Sequence, residues 1–235
     1  MVTDCYIAGA GEFADTRLPM ENEYVIAADG GYKELMARGI MPDLVVGDFD
    51  SLGKAPEHPN VVASPVEKDD TDVMLAVRQG LERGCRTFVI NGGTGGRLDH
   101  TLSNIQVLIY IASKGCCGVL LGQEVCLAAV RNGSISFGEY ARGTISIFSA
   151  GDKAIGVTLQ GLKYPLHDAT LTFECPIGVS NEFTGRKATV AVRDGTLVIS
   201  WAGGSEYLES LPGQHLKSLP GHPITRKVEH DQQHD

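Results

Sequence analysis

Through about residue 122 of the chain, short apolar runs alternate with stretches whose apolar residues recur every three or four positions. That is the pattern of strands and helices alternating around a largely parallel sheet. The runs at 5–8, 24–28, 44–46, 61–63, 87–90 and 118–121 are the expected strands. The clearest helix starts near Thr71, carries Val73, Met74, Val77 and Leu81 on one face, and meets a stop signal at Gly84. A second is expected over 99–113, with Leu102, Ile105, Leu108, Ile109 and Ala112 as its apolar face and Gly115 just beyond. A short helix is expected around 32–37.

After about residue 122 the rhythm shortens to runs at 125–130, 144–148, 156–159, 169–173, 188–192 and 197–201, separated by turn residues. Asn132-Gly133 and Asp194-Gly195 read as hairpin turns of type I′, in which both central residues take positive φ. The expected fold is therefore an α/β N-terminal domain with a mostly parallel sheet (1–122), followed by an all-β sandwich domain (123–211). The stretch 212–235 is polar, contains Pro and Gly, holds four of the seven histidines, and reads as a disordered tail.

Composition narrows the function classes. The 235 residues, 43% of them hydrophobic, can bury one large core or two modest ones. A net charge of -9 without a basic stripe argues against nucleic acid, and an anionic ligand would need a cation as a bridge. No run approaches the roughly 18 apolar residues of a membrane helix, and the N-terminus has no basic segment followed by a long apolar run. A cytoplasmic location without membrane contact is expected. The six cysteines lack Cys-x-x-Cys spacing and lie mostly in apolar runs, so buried thiols are expected rather than zinc ligands or disulfides.

Two aspartate clusters carry the most chemical information. Asp48-Phe49-Asp50-Ser51 follows an apolar run, and Asp69-Asp70-Thr71-Asp72 precedes the first long helix. Any one of these acids could be a helix cap or turn residue. Packed together they repel one another unless a proton or cation neutralises them, and hard divalent cations such as Mg²⁺ prefer such oxygens.

Two glycine-bearing turns add to this. The stretch 91–100, Asn-Gly-Gly-Thr-Gly-Gly-Arg-Leu-Asp-His, offers a backbone open enough to wrap phosphates, with Arg97 as a charged donor and Asp99 at a helix start. It is not a Walker A loop, since no Lys-Ser or Lys-Thr follows its glycines. Ala28-Asp29-Gly30-Gly31 closes the second strand, where open α/β sheets bind ligands. Gly9-Ala10-Gly11 with Asp29 is a weak dinucleotide fingerprint, because no amphipathic helix follows Gly11.

In the order of these motifs the chain resembles the thiamine pyrophosphokinase family. The resemblance runs through Ala28-Asp29-Gly30-Gly31, Gly47-Asp48-Phe49-Asp50-Ser51, Lys68-Asp69-Asp70-Thr71-Asp72, the 92–100 loop, Gly161-Leu162-Lys163-Tyr164 and Val179-Ser180-Asn181-Glu182. It implies transfer of the pyrophosphoryl group of ATP to the thiamine hydroxyl, giving thiamine diphosphate and AMP. It also implies a homodimer whose active sites lie between the α/β domain of one subunit and the β domain of the other. Carried onto this sequence, it makes Asp48, Asp50 and Asp72 the Mg²⁺ ligands and Asp99 the group that orients or deprotonates the hydroxyl. Asp29, Gly30, Gly31, Lys68, Asp69, Thr71, Gly93 and Arg97 become ATP-binding candidates. Tyr164, Ser180 and Asn181 become thiamine-binding candidates, Tyr164 by stacking on a ring.

Two other classes stand beside this reading. An NAD-dependent oxidoreductase would use Gly9, Gly11 and Asp29, but leaves the remaining aspartates unexplained. A nucleotide or thiamine sensor would bind the same ligands without catalysis.

Overall fold

The computed structural model describes residues 4–49, 56–63, 70–211 and 214–215. The first half is β1 (Asp4–Ala8), β2 (Tyr24–Ala28), α1 (Gly31–Ala37), β3 (Leu44–Gly47), β4 (Val61–Ala63), α2 (Asp72–Glu82), β5 (Thr87–Asn91), α3 (Leu98–Ser113) and β6 (Cys117–Leu121). The second half is β7 (Val125–Arg131), β8 (Ser134–Phe137), β9 (Thr144–Ser149), β10 (Lys153–Gln160), β11 (Leu166–Thr172), β12 (Asn181–Glu182), β13 (Ala188–Ala191), β14 (Thr196–Ala202), β15 (Leu208–Leu211) and β16 (Gln214–His215). The last of these lies within the stretch read as a tail and pairs with β15.

One mixed sheet runs through both halves in the order β12-β9-β14-β7-β6-β5-β1-β2-β3-β4. The strands from β6 to β4 pair in parallel, and those from β7 to β12 are antiparallel to their neighbours. Backbone pairing therefore does not stop near residue 122: β7 continues the ladder beside β6, with Leu120 opposite Leu127. A second, six-stranded sheet has the order β11-β10-β13-β8-β15-β16.

Alternation along the strands divides the core in two. One face of the large sheet, with Cys5, Ile7, Phe88, Ile90 and Leu120, packs on α2 and α3 through Val73, Val77, Leu108 and Ile111. The other face, with Tyr6, Val25, Val45, Val119, Ala128, Ile147 and Trp201, packs on α1 and the small sheet through Leu35, Phe137, Val157 and Val190. Phe137 meets Trp201 edge-on at 5.3 Å between ring centroids, joining the sheets by an aromatic contact. Five cysteines are buried in these layers and Cys175 is exposed. Among the described residues no helix is long and apolar enough to cross a membrane.

Both long helices form where their apolar periods lie. Thr71 caps α2 by accepting from the Met74 N–H at 3.3 Å, and Gly84 ends it at φ +87°. Leu102 departs from its expected core position: it is 56% exposed and Leu98 is 72% exposed, while the buried face of α3 begins at Asn104. The spacing is helical, but among the described residues nothing covers the first turn of α3.

The two turn dipeptides also depart from expectation. Asn132-Gly133 joins β7 of the large sheet to β8 of the small one, and Asp194-Gly195 joins β13 of the small sheet to β14 of the large one. Both are crossings between sheets rather than hairpins, and Gly133 is not at positive φ although Asn132 is, at +46°. The crossings lie side by side. Asn132 N–H donates to the Gly195 carbonyl at 3.1 Å, and Gly195 N–H donates to Asn132 Oδ1 at 2.9 Å. Turn chemistry fixed the reversals, but long-range pairing decided which strands they join.

Candidate active site

The large sheet changes direction at β1, from which β2 to β4 extend one way and β5 and β6 the other. Such a switch point opens a crevice beyond the carboxyl ends of the strands. A cavity of about 570 Å³ lies there, lined by Ala10, Gly11 and Glu12 after β1, Ala28 and Asp29 at the end of β2, and Thr71, Asp72 and Val73 at the start of α2. The loop 92–97 and His100, Ser103 and Asn104 of α3 complete it.

The segment after β1 is not a dinucleotide cradle. The N–H groups of Gly9, Gly11 and Glu12 donate to the carbonyls of Asn91, Gly92 and Thr94 at 2.7, 2.7 and 2.8 Å. Those donors are spent on the neighbouring loop, and no helix follows, so this segment cannot receive a pyrophosphate as the weak fingerprint requires. The oxidoreductase reading loses its main support.

After β2 the chain turns sharply. Asp29 sits at φ +46°, and Gly31 lies so close to β1 that a Cβ there would fall 2.0 Å from the Ala8 carbonyl oxygen. Gly30 caps α1 and Gly31 begins it, so both glycines shape the turn while Asp29 lines the cavity. Asp29 Oδ1 is buried and has no hydrogen-bond partner among the described residues. A carboxylate oxygen without water or a donor is costly, which suits a site that receives a hydroxyl, an amine or a cation.

The glycine-rich loop is held from two sides. Asn104 donates to the Gly93 carbonyl at 2.8 Å, and the wholly buried Asn91 accepts from the N–H groups of Gly92 and Ala14, each at 2.8 Å. The Asn91 amide also donates to Tyr6 Oη and the Ala14 carbonyl at 2.8 Å. No local signal marks Asn104 in the sequence, because its amide acts on a carbonyl of another loop. Glu12, Thr94, His100 and Ser103 were likewise not assigned roles.

Beside this loop Arg97 Nε meets Asp99 Oδ1 at 3.1 Å and Nη2 meets Oδ2 at 2.5 Å. Both side chains are largely exposed. Hydrogen bonding to Arg97 holds the Asp99 carboxyl below the usual carboxylate range.

Of the expected site residues, the cavity brings together Asp29, Thr71, Asp72, Gly93 and Arg97, with Asp99 joined to it through Arg97. Asp48 follows β3, next to the strand that ends in Asp29, and does not line the cavity. Asp50, Lys68 and Asp69 lie outside the described residues. Among the described residues no three His, Cys, Asp or Glu side chains form a metal-binding group. In kind, the aspartate oxygens of Asp48 and Asp72 suit a hard divalent cation.

Tyr164, Ser180 and Asn181 gather elsewhere. Asn181 is buried on the edge strand β12, where its Oδ1 accepts from Tyr164 N–H at 3.0 Å and Glu182 N–H at 2.9 Å, and its Nδ2 donates to the Tyr164 carbonyl at 2.7 Å. Ser180 is exposed at φ +59° and Tyr164 is 58% exposed, with Lys163 Nζ 5.4 Å from its ring centroid. Five strand steps separate β12 from β5. At about 4.8 Å per step this is roughly 24 Å.

Residues 16–120 match the family model for the thiamin pyrophosphokinase catalytic domain, and residues 134–197 match that for the thiamin pyrophosphokinase vitamin B1 binding domain. The chain is 32% identical over 193 residues to a thiamine pyrophosphokinase of Bacillus subtilis (strain 168), covering 76% of this chain and 87% of that one. It is 31% identical over 176 residues to thiamin pyrophosphokinase 1 of Caenorhabditis elegans, covering 69% and 72%. The crystal structure of a Bacillus subtilis thiamine pyrophosphokinase superposes with a TM-score of 0.74 at 27% identity, covering 85% of this chain and 98% of the other.

Proposed function

The chain belongs to the thiamine pyrophosphokinase family, which makes thiamine diphosphate, and from that premise we propose how its residues divide the reaction. The hydroxyl oxygen of thiamine attacks the β-phosphorus of ATP, the bond to the α-phosphate oxygen breaks, and AMP leaves. The observation carrying this reading is the cavity at the sheet's switch point, which gathers Asp29, Asp72, the glycine-rich loop and Arg97.

The open backbone of 92–96 accommodates the phosphates, and the amino ends of α2 and α3 add favourable dipoles for an anion. Arg97 supplies fixed positive charge. Asp48, Asp72 and, outside the described residues, Asp50 would hold magnesium, which when bound neutralises phosphate charge and aligns the triphosphate. Lys68 and Asp69 belong to the same ATP-binding set. Asp99 takes the hydroxyl proton on a carboxylate oxygen, and it is the better base once Arg97 has turned to a phosphate.

A homodimer supplies the vitamin site. Tyr164, Ser180 and Asn181 are too far across the sheet to meet the cavity of their own chain, so a second copy brings them to it. The exposed apolar side chains suit such an interface: Leu98 and Leu102 at the start of α3, and Phe173, Ile177 and Val179 near the residues expected to hold thiamine.

The test is to incubate the purified protein with ATP, thiamine and Mg²⁺ and separate the products. AMP and thiamine diphosphate in equal amounts, both absent with excess chelator, are expected. ADP with thiamine monophosphate would overturn the proposed point of attack, and binding of both ligands without products would make the chain a sensor.

A further inference from the structure

Glu12 belongs to none of the motifs on which the family assignment rests, yet its side chain lines the nucleotide cavity. Its backbone is pinned, since its N–H donates to the Thr94 carbonyl at 2.8 Å. Its carboxyl group occupies space that only a glycine opposite leaves open: a Cβ on Gly95 would lie 2.3 Å from Glu12 Cδ and 2.6 Å from Oε2. Gly95 is itself at φ +79°, so the loop and Glu12 fit as a pair. Among the described residues no side chain donates to this carboxylate or forms an ion pair with it.

An acid in a cavity built for a triphosphate has a restricted choice of partner. Belonging to no group of acids that could hold a cation among the described residues, it repels phosphate oxygens and accepts from donors. On ATP the donors are the adenine amine and the two ribose hydroxyls. The amine is flanked by ring nitrogens that are acceptors and would face the second carboxylate oxygen. The ribose presents two hydroxyls side by side, matching the two oxygens of one carboxylate.

We propose that Glu12 selects a ribonucleotide by accepting hydrogen bonds from the 2′- and 3′-hydroxyls of the ribose. This rests on the ATP-dependent reading above and extends it to a residue outside the family motifs. A hydrogen bond to a charged acceptor corresponds to roughly a tenfold or greater change in affinity.

The test is calorimetric titration of the full chain, without thiamine, with ATP, 2′-deoxy-ATP and inosine triphosphate, for the natural protein and Glu12→Gln. The natural protein is expected to bind ATP at least about tenfold more tightly than 2′-deoxy-ATP, and Glu12→Gln to lose most of that preference. Equal binding of the two by the natural protein, or an undiminished preference in Glu12→Gln, overturns the inference. Loss of discrimination against inosine triphosphate alone would move the contact to the base and overturn it too. Because binding is read without turnover, ribose selection can fail while AMP formation stands, and the reverse result is equally visible.

Discussion

Arg97 and Asp99 hold each other by two parallel contacts across the first turn of α3, at 3.1 and 2.5 Å. The cation favours the charged carboxylate, so the carboxyl group expected to accept a proton is a weak base while the pair is closed. In the proposed reaction, a phosphate arriving at Arg97 would compete for the same donors and release Asp99.

Removing the cation is expected to reverse the shift. In Arg97→Gln the Asp99 carboxyl should titrate at higher pH, back toward the ordinary carboxylate range, as followed by carbon-detected NMR. The pair stabilises the fold only above the unfolded-state value, and that contribution is lost as pH falls through the lowered folded-state value. Since both groups are mostly exposed, the acid-side stability should hardly move. An unchanged Asp99 titration would show that the pair is open in solution.

If Asp72 and Asp48 hold magnesium as proposed, Asp72→Asn and Asp48→Asn are expected to lower turnover by at least about 10–100-fold, the loss that follows even from changing a group behind a metal ligand. Asp72 also lies in the first turn of α2, where its charge contributes only about 0.3–1 kcal/mol through the helix dipole. Melting should therefore shift by a few degrees at most, measured by circular dichroism beside a product assay. Near-normal turnover in either variant would remove it from the metal site.

Gly80→Ala sets two effects against each other. In a helix interior the change should gain about 1 kcal/mol of propensity. Here the new Cβ would lie 2.6 Å from Phe88 Cε1 and 3.2 Å from Cys5 Sγ, and overpacking of this kind costs about 1–3 kcal/mol. Net destabilisation in urea unfolding is expected. A more stable variant would mean that the layer between α2 and the sheet is looser than described.

Asn91→Ala should be the most damaging of these changes to stability. It leaves the Tyr6 hydroxyl and the Ala14 and Gly92 backbone groups without their partner in a wholly buried setting. A loss of about 3 kcal/mol in urea unfolding is expected, with weaker ATP binding as the loop loosens. A loss below about 1 kcal/mol would show that these groups find other partners.

Much of this was legible from residue order alone. Thr71, Val73, Val77 and Gly84 mark the limits and buried face of α2 because caps and apolar spacing are local signals. The cavity was foreshadowed by Asp29, Asp72 and the run of glycines, since charge and glycine at strand ends carry meaning without knowledge of the fold. Leu102 misled because helical periodicity says nothing about whether a surface lies opposite. Strands β8, β12 and β15 fell outside the expected runs, being short and held by partners far along the chain. Asn104 was invisible for the same reason: its value lies in one carbonyl of another loop.

The unbroken ladder from β4 to β12 has a mechanical consequence. A plate of ten hydrogen-bonded strands contains no hinge, so the two ends of the molecule cannot swing together as the jaws of a two-domain clamp do. Closure over a bound nucleotide falls to the loops at the strand ends and to whatever docks against them, and the plate between serves as a rigid ruler.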